Sequence, residues 1–105
     1  MQLVELEVIE DVDRGLARLE QSHARVQSLA TAVARGTEVA RIERLSLAAG
    51  AGTQTDYLRA EADLQDARAA YAEARHGEMA ARAALARLTG VLDPAWITRT
   101  LEDRP

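Results

Sequence analysis

Apolar residues recur along this chain with the spacing of a heptad repeat. In a first long stretch, intervals of four and three residues connect Val12, Leu16, Leu19, His23, Val26, Ala30, Val33, Thr37 and Ala40. In a second stretch the same intervals connect Tyr57, Ala60, Leu64, Ala67, Tyr71, Ala74, Glu78, Ala81, Leu85 and Leu88. This spacing places the residues of each stretch on one helix face, where they form a coiled-coil seam. The pattern therefore predicts two long helices whose seams face each other.

A short glycine-containing segment, Ala49-Gly50-Ala51-Gly52, separates the two stretches, and neither stretch contains proline. Glycine adopts positive φ at little cost, so this segment predicts a tight reversal of the chain. The sequence Thr53-Gln-Thr-Asp56 that follows has the form of a capping box, with Thr53 as the N-cap of the second helix.

Gly90 and Pro94 predict the end of the second helix, with Gly90 as a C′ cap and Pro94 as the stop beyond it. We therefore expect helices over residues 3–48 and 53–89, a tip over residues 49–52 and a C-terminal tail over residues 93–105. The predicted fold class is all-α, a long antiparallel two-helix coiled-coil hairpin.

The second helix carries a further stripe of small and apolar residues: Leu58, Ala62, Ala69, Ala72, Met79, Ala83 and Ala86. A hairpin needs one seam per helix, so a second stripe indicates contact with neighbours on two sides. The alternative is that alanine only raises helix propensity, and composition alone does not decide between the two. Because alanine buries little area, we expect an isolated copy to be marginally stable and to self-associate.

Composition and motifs exclude several classes of function. All thirteen basic residues are arginines interspersed with acidic residues, at a net charge of −4, so no basic face for nucleic acid is predicted. The chain has no cysteine, phosphate-binding loop or nucleophile elbow, and we expect no enzyme activity and no cofactor. His76 and Glu78 are two residues apart and point to different faces, so no metal site is predicted. Glu78, at a seam position, either sets the register or faces a lumen.

The segment from Ser46 to Arg75 resembles the TolC-type outer-membrane efflux proteins. The matching positions are Gly50, Thr53, Asp56, Leu58, Ala60, Leu64, Ala67, Arg68 and Tyr71. The stretch from Ala83 to Leu92 is similar to the ending of the family's hairpin helix, and the likeness extends over about residues 7–92. No single element is specific, and the resemblance depends on their order and spacing together.

The resemblance implies a helical hairpin of a periplasmic α-barrel, in a homotrimer located in the outer membrane and periplasm. Its tip residues, Ala49, Gly50, Ala51, Gly52 and Thr53, would contact the periplasmic adaptor protein of an efflux pump. Asp56 would be a candidate for the tunnel constriction. The alternative for Asp56 is a purely local role at the helix N-terminus, and Arg59 nearby would partly cancel a ring of negative charge. The chain contains no strand segments, signal peptide or second hairpin, so we expect a fragment, the helical part of the second repeat.

Two other functions fit the same pattern. A periplasmic adaptor (membrane-fusion) protein also uses a coiled-coil hairpin, but it usually flanks the hairpin with lipoyl-like strands that this sequence lacks. A stand-alone coiled-coil interaction protein in the cytosol would need no further segments. The exported substrate and the pump partner are not predicted.

Overall fold

Two antiparallel helices make up the described part of the chain. A computed structural model describes the backbone of residues 2–92, with helix α1 at Gln2–Ala48 and helix α2 at Gln54–Leu92. Residues 49–53 reverse the chain, and α2 packs back along α1. No strand occurs in residues 2–92. The predicted all-α hairpin is confirmed, whereas the predicted tail, with Pro94, lies outside the described residues.

The seam of α2 follows the predicted positions. All ten residues assigned to it are buried or half-buried, including Tyr71 and Glu78. Ala60, Leu64 and Ala81 retain only 6%, 4% and 6% of their accessible surface. The heptad spacing of the second stretch therefore identifies the face of α2 that packs on α1.

The seam of α1 differs from the predicted one at three of its nine positions. Leu16, His23 and Thr37 are exposed. The helix instead faces α2 through the residue before each, namely Gly15, Ser22 and Gly36. The corrected seam keeps the heptad spacing and consists of buried or half-buried residues throughout: Val8, Val12, Gly15, Leu19, Ser22, Val26, Leu29, Val33, Gly36, Ala40, Glu43 and Leu47.

Close approach of the helices explains this correction. A Cβ atom added to Gly15 would lie 3.2 Å from the Leu85 Cδ1 atom, and one added to Gly36 would lie 3.4 Å from the Leu64 Cδ1 atom. The glycines thus provide the space into which leucines of α2 fit. The predicted seam was wrong at these positions because it favoured larger apolar neighbours such as Leu16 over small residues.

Large and small residues alternate across the seam. The contacts of Gly15 with Leu85 and of Gly36 with Leu64 fix the antiparallel register. The same antiparallel register places Val33 opposite Ala67, Val26 opposite Ala74 and Leu19 opposite Ala81. At these levels a large side chain in one helix meets a small one in the other, which fills the interface without separating the backbones. The same register places Leu29 opposite Tyr71, where both side chains are large. Near the tip, Ala40, Ala60 and Leu64 form a buried cluster with Val33 packed against it.

The end of α2 corrects a second prediction. The helix continues through Gly90 to Leu92, and Gly90 does not have the positive φ of a C′ cap. Glycine is compatible with helical backbone at a cost of about 1 kcal/mol relative to alanine, so it does not by itself end a helix. The Thr89 hydroxyl donates back to the Leu85 and Ala86 carbonyl oxygens at 3.1 and 3.0 Å, as in a continuing helix.

Candidate functional site

Gly50 ends α1 in a left-handed conformation, with φ at 78°. The Gly50 N–H donates to the Leu47 carbonyl oxygen at 3.1 Å, and the Ala51 N–H donates to the Ser46 carbonyl oxygen at 2.9 Å. These two bonds form a Schellman motif, which satisfies carbonyl groups that the helix end leaves unpaired. A Cβ atom on Gly50 would meet no atom within 4 Å, so the requirement for glycine here is conformational rather than steric.

Gly52 is required for a different reason. Its N–H donates to the Ser46 carbonyl oxygen at 3.0 Å, which brings the chain back against the end of α1. A Cβ atom on Gly52 would lie 3.0 Å from the Ser46 Cβ atom and 3.2 Å from the Leu47 backbone nitrogen. Backbone atoms cannot move aside as a flexible side chain does. The turn therefore uses one glycine for its φ angle and the other for its small size.

Thr53 caps the start of α2. Its Oγ1 atom accepts a hydrogen bond from the Asp56 N–H at 3.1 Å, and its carbonyl oxygen accepts one from the Tyr57 N–H at 3.2 Å. The N-cap role of Thr53 is confirmed by these contacts. The exposed Asp56 carboxylate lies in the first turn of α2, where negative charge favours the helix dipole. This local role accounts for Asp56, and its role at a constriction stays a prediction.

The predicted adaptor-contact residues lie together at one end of the hairpin. Ala49, Gly50, Ala51 and Thr53 are exposed, and Gly52 is half-buried. Their side chains are small, so the tip presents mainly backbone and methyl groups. A partner could therefore approach this backbone closely, although adaptor contact itself stays a prediction.

A polar cluster interrupts the seam in the half of the hairpin away from the tip. The Glu78 side chain is only 13% exposed, and its Oε1 atom lies 2.9 Å from the His23 Nδ1 atom and 3.0 Å from the Arg82 guanidinium. The hydrogen bond with His23, assisted by Arg82, holds the pKa of Glu78 below its ordinary value although burial opposes this. Among the described residues, His23–Glu78 is the only ion pair joining the two helices.

Sequence reasoning placed His23 and Glu78 in opposing seams but did not pair them. His76 is exposed on the outer side of α2, apart from this cluster. Within the part of the chain that the structure describes, no three acidic or histidine side chains come together as a potential metal site. The pair of His23 and Glu78 joins α1 to α2 by a hydrogen bond across the seam.

The second stripe of α2 lies on its outer surface. All seven of its residues are exposed, with Leu58 at 56% and Met79 at 62%. A shallow groove on this surface is lined by Ala72, Arg75, His76 and Met79. The Arg75 guanidinium lies 5.8 Å from the centre of the Tyr71 ring, which it partly covers. No described residue of α1 covers this stripe.

Comparisons with known proteins assign no family to the chain. No protein-family model matches it, and searches of curated proteins and of solved structures find no significant match. Neither described helix contains a segment long and apolar enough to cross a membrane.

Proposed function

We propose that this hairpin is a wall element of a TolC-type outer-membrane efflux channel, a periplasmic α-barrel hairpin with its turn directed at an adaptor protein. The observation that carries the proposal is the pair of heptad faces on α2. One face packs on α1, and the other is exposed over the length of the helix. A helix in a barrel wall contacts a neighbour on each side, so it needs two such faces.

The angle between the two faces of α2 suits this role. At about 100° per residue, the outer residue Ala62 lies about 160° around the helix axis from the seam residue Leu64. By the same measure, Ala72 lies about 100° from Tyr71. The outer stripe is mostly alanine, which lets a neighbouring backbone approach closely. A further helix could therefore pack on α2 without displacing α1.

The tip supports the second part of the proposal. Ala49, Gly50 and Ala51 form a small exposed surface held in one conformation by backbone hydrogen bonds. In the proposed role, this surface meets the helical tip of an adaptor in the periplasm. Homotrimer formation, location at the outer membrane and the absence of catalysis belong to the same proposal.

A graft tests this proposal directly. Residues 35–65 of this chain replace the second-repeat tip and the adjoining helix ends of a TolC-type channel, and the channel is assayed for trimer formation, adaptor crosslinking and pump-dependent drug resistance. We expect all three to be retained in the graft. Ala51→Glu in the graft should leave trimers intact and reduce crosslinking and resistance, because it adds bulk and charge at the tip. Gln65→Glu, at an exposed site away from the tip, is the matched control. Undiminished adaptor crosslinking in the folded Ala51→Glu channel contradicts the docking role.

A stand-alone coiled-coil interaction protein is the second candidate, and the completeness of the seam favours it. At Leu19, Val26, Val33 and Leu64 a large seam residue meets a small one without a contribution from another chain. For such a protein, Ala51→Glu should leave partner binding unchanged. The same substitution thus separates the two functions.

A further inference from the structure

One side of the hairpin, here called the His23 face, combines residues from both helices. His23 of α1 and Arg82 of α2 both bind Glu78, so they lie on the same side of the seam. Residues seven apart share a helix face. Ile9 and Leu16 therefore lie on the side of His23, and Arg75 lies on the side of Arg82.

Apolar side chains are exposed on the His23 face in the half away from the tip. Ile9 is 51% exposed, Leu16 is 44% exposed, and Met79, between Arg75 and Arg82 in sequence, is 62% exposed. Both helices therefore contribute exposed apolar surface to this face.

Charges on this face are separated by helix. Asp13 and Glu20 flank Leu16 on α1, whereas Arg75 and Arg82 flank Met79 on α2, and all four are exposed. Toward the tip both signs invert, because steps of seven residues lead from Asp13 and Glu20 to Arg41 on α1, and from Arg82 and Arg75 to Glu61 on α2. The half away from the tip therefore carries acidic residues on α1 and basic ones on α2, and the half near the tip carries the reverse.

We infer that the His23 face binds a second copy of this chain, with α1 of each copy lying over α2 of the other in an antiparallel four-helix bundle. The two-fold axis runs parallel to the helices and keeps each level of one hairpin opposite the same level of the other. Leu16 then packs near Met79 and Ala86 of the second copy, and Glu20 lies near Arg75 and Arg82 of that copy.

Other arrangements of two copies fit less well. Placing α1 over α1 at the apolar end brings Asp13 and Glu20 against the same carboxylates, which repel. Placing the apolar end over the tip end sets Ile9 and Leu16 against polar residues such as Thr37 and Gln65. The opposite side of the hairpin does not separate charge by helix. There α1 alone carries both signs, with Asp11, Arg14 and Arg18 beside Ala81 and Ala84 of α2. This inference concerns the chain by itself and does not rest on the proposed channel function.

Charge exchange tests the inference on the full 105-residue chain. In sedimentation equilibrium we expect a dimer, and Glu20→Arg or Arg75→Glu alone should raise its dissociation constant by about tenfold or more, since the two-fold axis applies each change twice. The double variant Glu20→Arg with Arg75→Glu should bind more tightly than either single variant, because residues 20 and 75 attract again with the signs exchanged, but less tightly than the parent chain, because Arg82 is unchanged. Arg25→Glu, seven residues after Arg18 and so on the opposite side, is the control and should leave the dimer unchanged.

Cysteine crosslinking tests the arrangement, because the chain has no cysteine of its own. A mixture of the Leu16→Cys chain with the Ala86→Cys chain should form a disulfide between the two variants, whereas the Leu16→Cys chain alone should not. A chain that remains monomeric, a double variant no better than the single ones, or efficient crosslinking of the Leu16→Cys chain to itself would each overturn the proposed dimer. A failure here leaves the adaptor test in the grafted channel unaffected.

Discussion

The two halves of the seam are stabilised in different ways. In the tip half, Leu64 packs against Gly36 and joins Ala40 and Ala60 in a cluster that is 4–6% exposed and contains no polar side chain. In the other half, Glu78 occupies a seam position and is held by hydrogen bonds from both helices. The tip half is stabilised by burial, whereas the other half places a carboxylate where burial alone would favour an apolar residue.

This difference shows how a two-helix hairpin fixes its register. Shifting one helix by seven residues relative to the other costs less where the seam contains only apolar residues than where it contains a polar pair, because apolar contacts can re-form with new partners. A heptad shift would separate His23 from Glu78 and leave the half-buried carboxylate without its partner across the seam. We therefore expect the tip half to dominate the free energy of unfolding and the polar pair to contribute mainly to register.

The largest expected effect is at Leu64. Leu64→Ala removes a side chain that is 4% exposed and that fills the space beside Gly36. We expect it to lower the free energy of unfolding by about 2–4 kcal/mol, measured by urea denaturation followed by circular dichroism at a fixed protein concentration. Leu58→Ala, the same change in the same helix at a 56% exposed site, should cost less than about 0.5 kcal/mol. Equal losses for the two variants would contradict the seam assignment.

The sequence predicted the whole α2 seam but missed three positions of the α1 seam, for a physical reason. Every seam position of α2 except Glu78 is apolar or aromatic, including Leu64, Leu85 and Leu88, so apolar periodicity marks it. The α1 seam supplies the space for them through Gly15 and Gly36, which have no hydrophobic signal. Small residues are identified as interface positions only after the partner helix is placed against them.

The candidate site divides in the same way. The roles of Gly50 and Thr53 follow from local rules, because a helix end and a helix start are each satisfied within a few residues. The pairing of His23 with Glu78 connects residues distant in sequence and depends on the register, which the glycines set. Local pattern therefore predicted the tip and missed the polar cluster.

We expect effects of intermediate size on stability from substitutions at two glycines, one in the turn and one in α2 in the half of the hairpin away from the tip. Gly50→Ala should destabilise the hairpin by about 1 kcal/mol, because alanine is strained at a φ of 78°. Gly77→Ala should instead stabilise it by about 0.5–1 kcal/mol, since Gly77 is helical and an added Cβ atom would meet no atom within 4 Å. Thermal melts of both variants beside the parent chain measure the signs. A destabilising Gly77→Ala or a neutral Gly50→Ala would show that one of these backbone assignments is wrong.

The smallest expected effect is the pH dependence from Glu78. Its pKa in the folded chain lies below the ordinary value of 4.5 because of the hydrogen bond with His23. A carboxylate with a lowered pKa stabilises the folded state above its unfolded pKa, and this contribution is lost as the pH falls through the folded value. The melting temperature of the parent chain should therefore exceed that of Glu78→Gln at about pH 6. The difference should shrink as the pH falls below 4.5 and disappear once the pH lies below the folded pKa.

Glu38→Gln separates this seam effect from a general loss of carboxylate charge. Hydrogen bonding to Arg41 also lowers the pKa of Glu38, but that pair lies within one helix at an exposed position. An exposed pair three residues apart contributes little to stability, so the pH profile of Glu38→Gln should stay close to that of the parent chain. If Glu78→Gln follows the parent profile as closely as Glu38→Gln does, the polar pair does not couple the two helices. A profile that departs only for Glu78→Gln would show that the half of the seam away from the tip depends on the charge of Glu78.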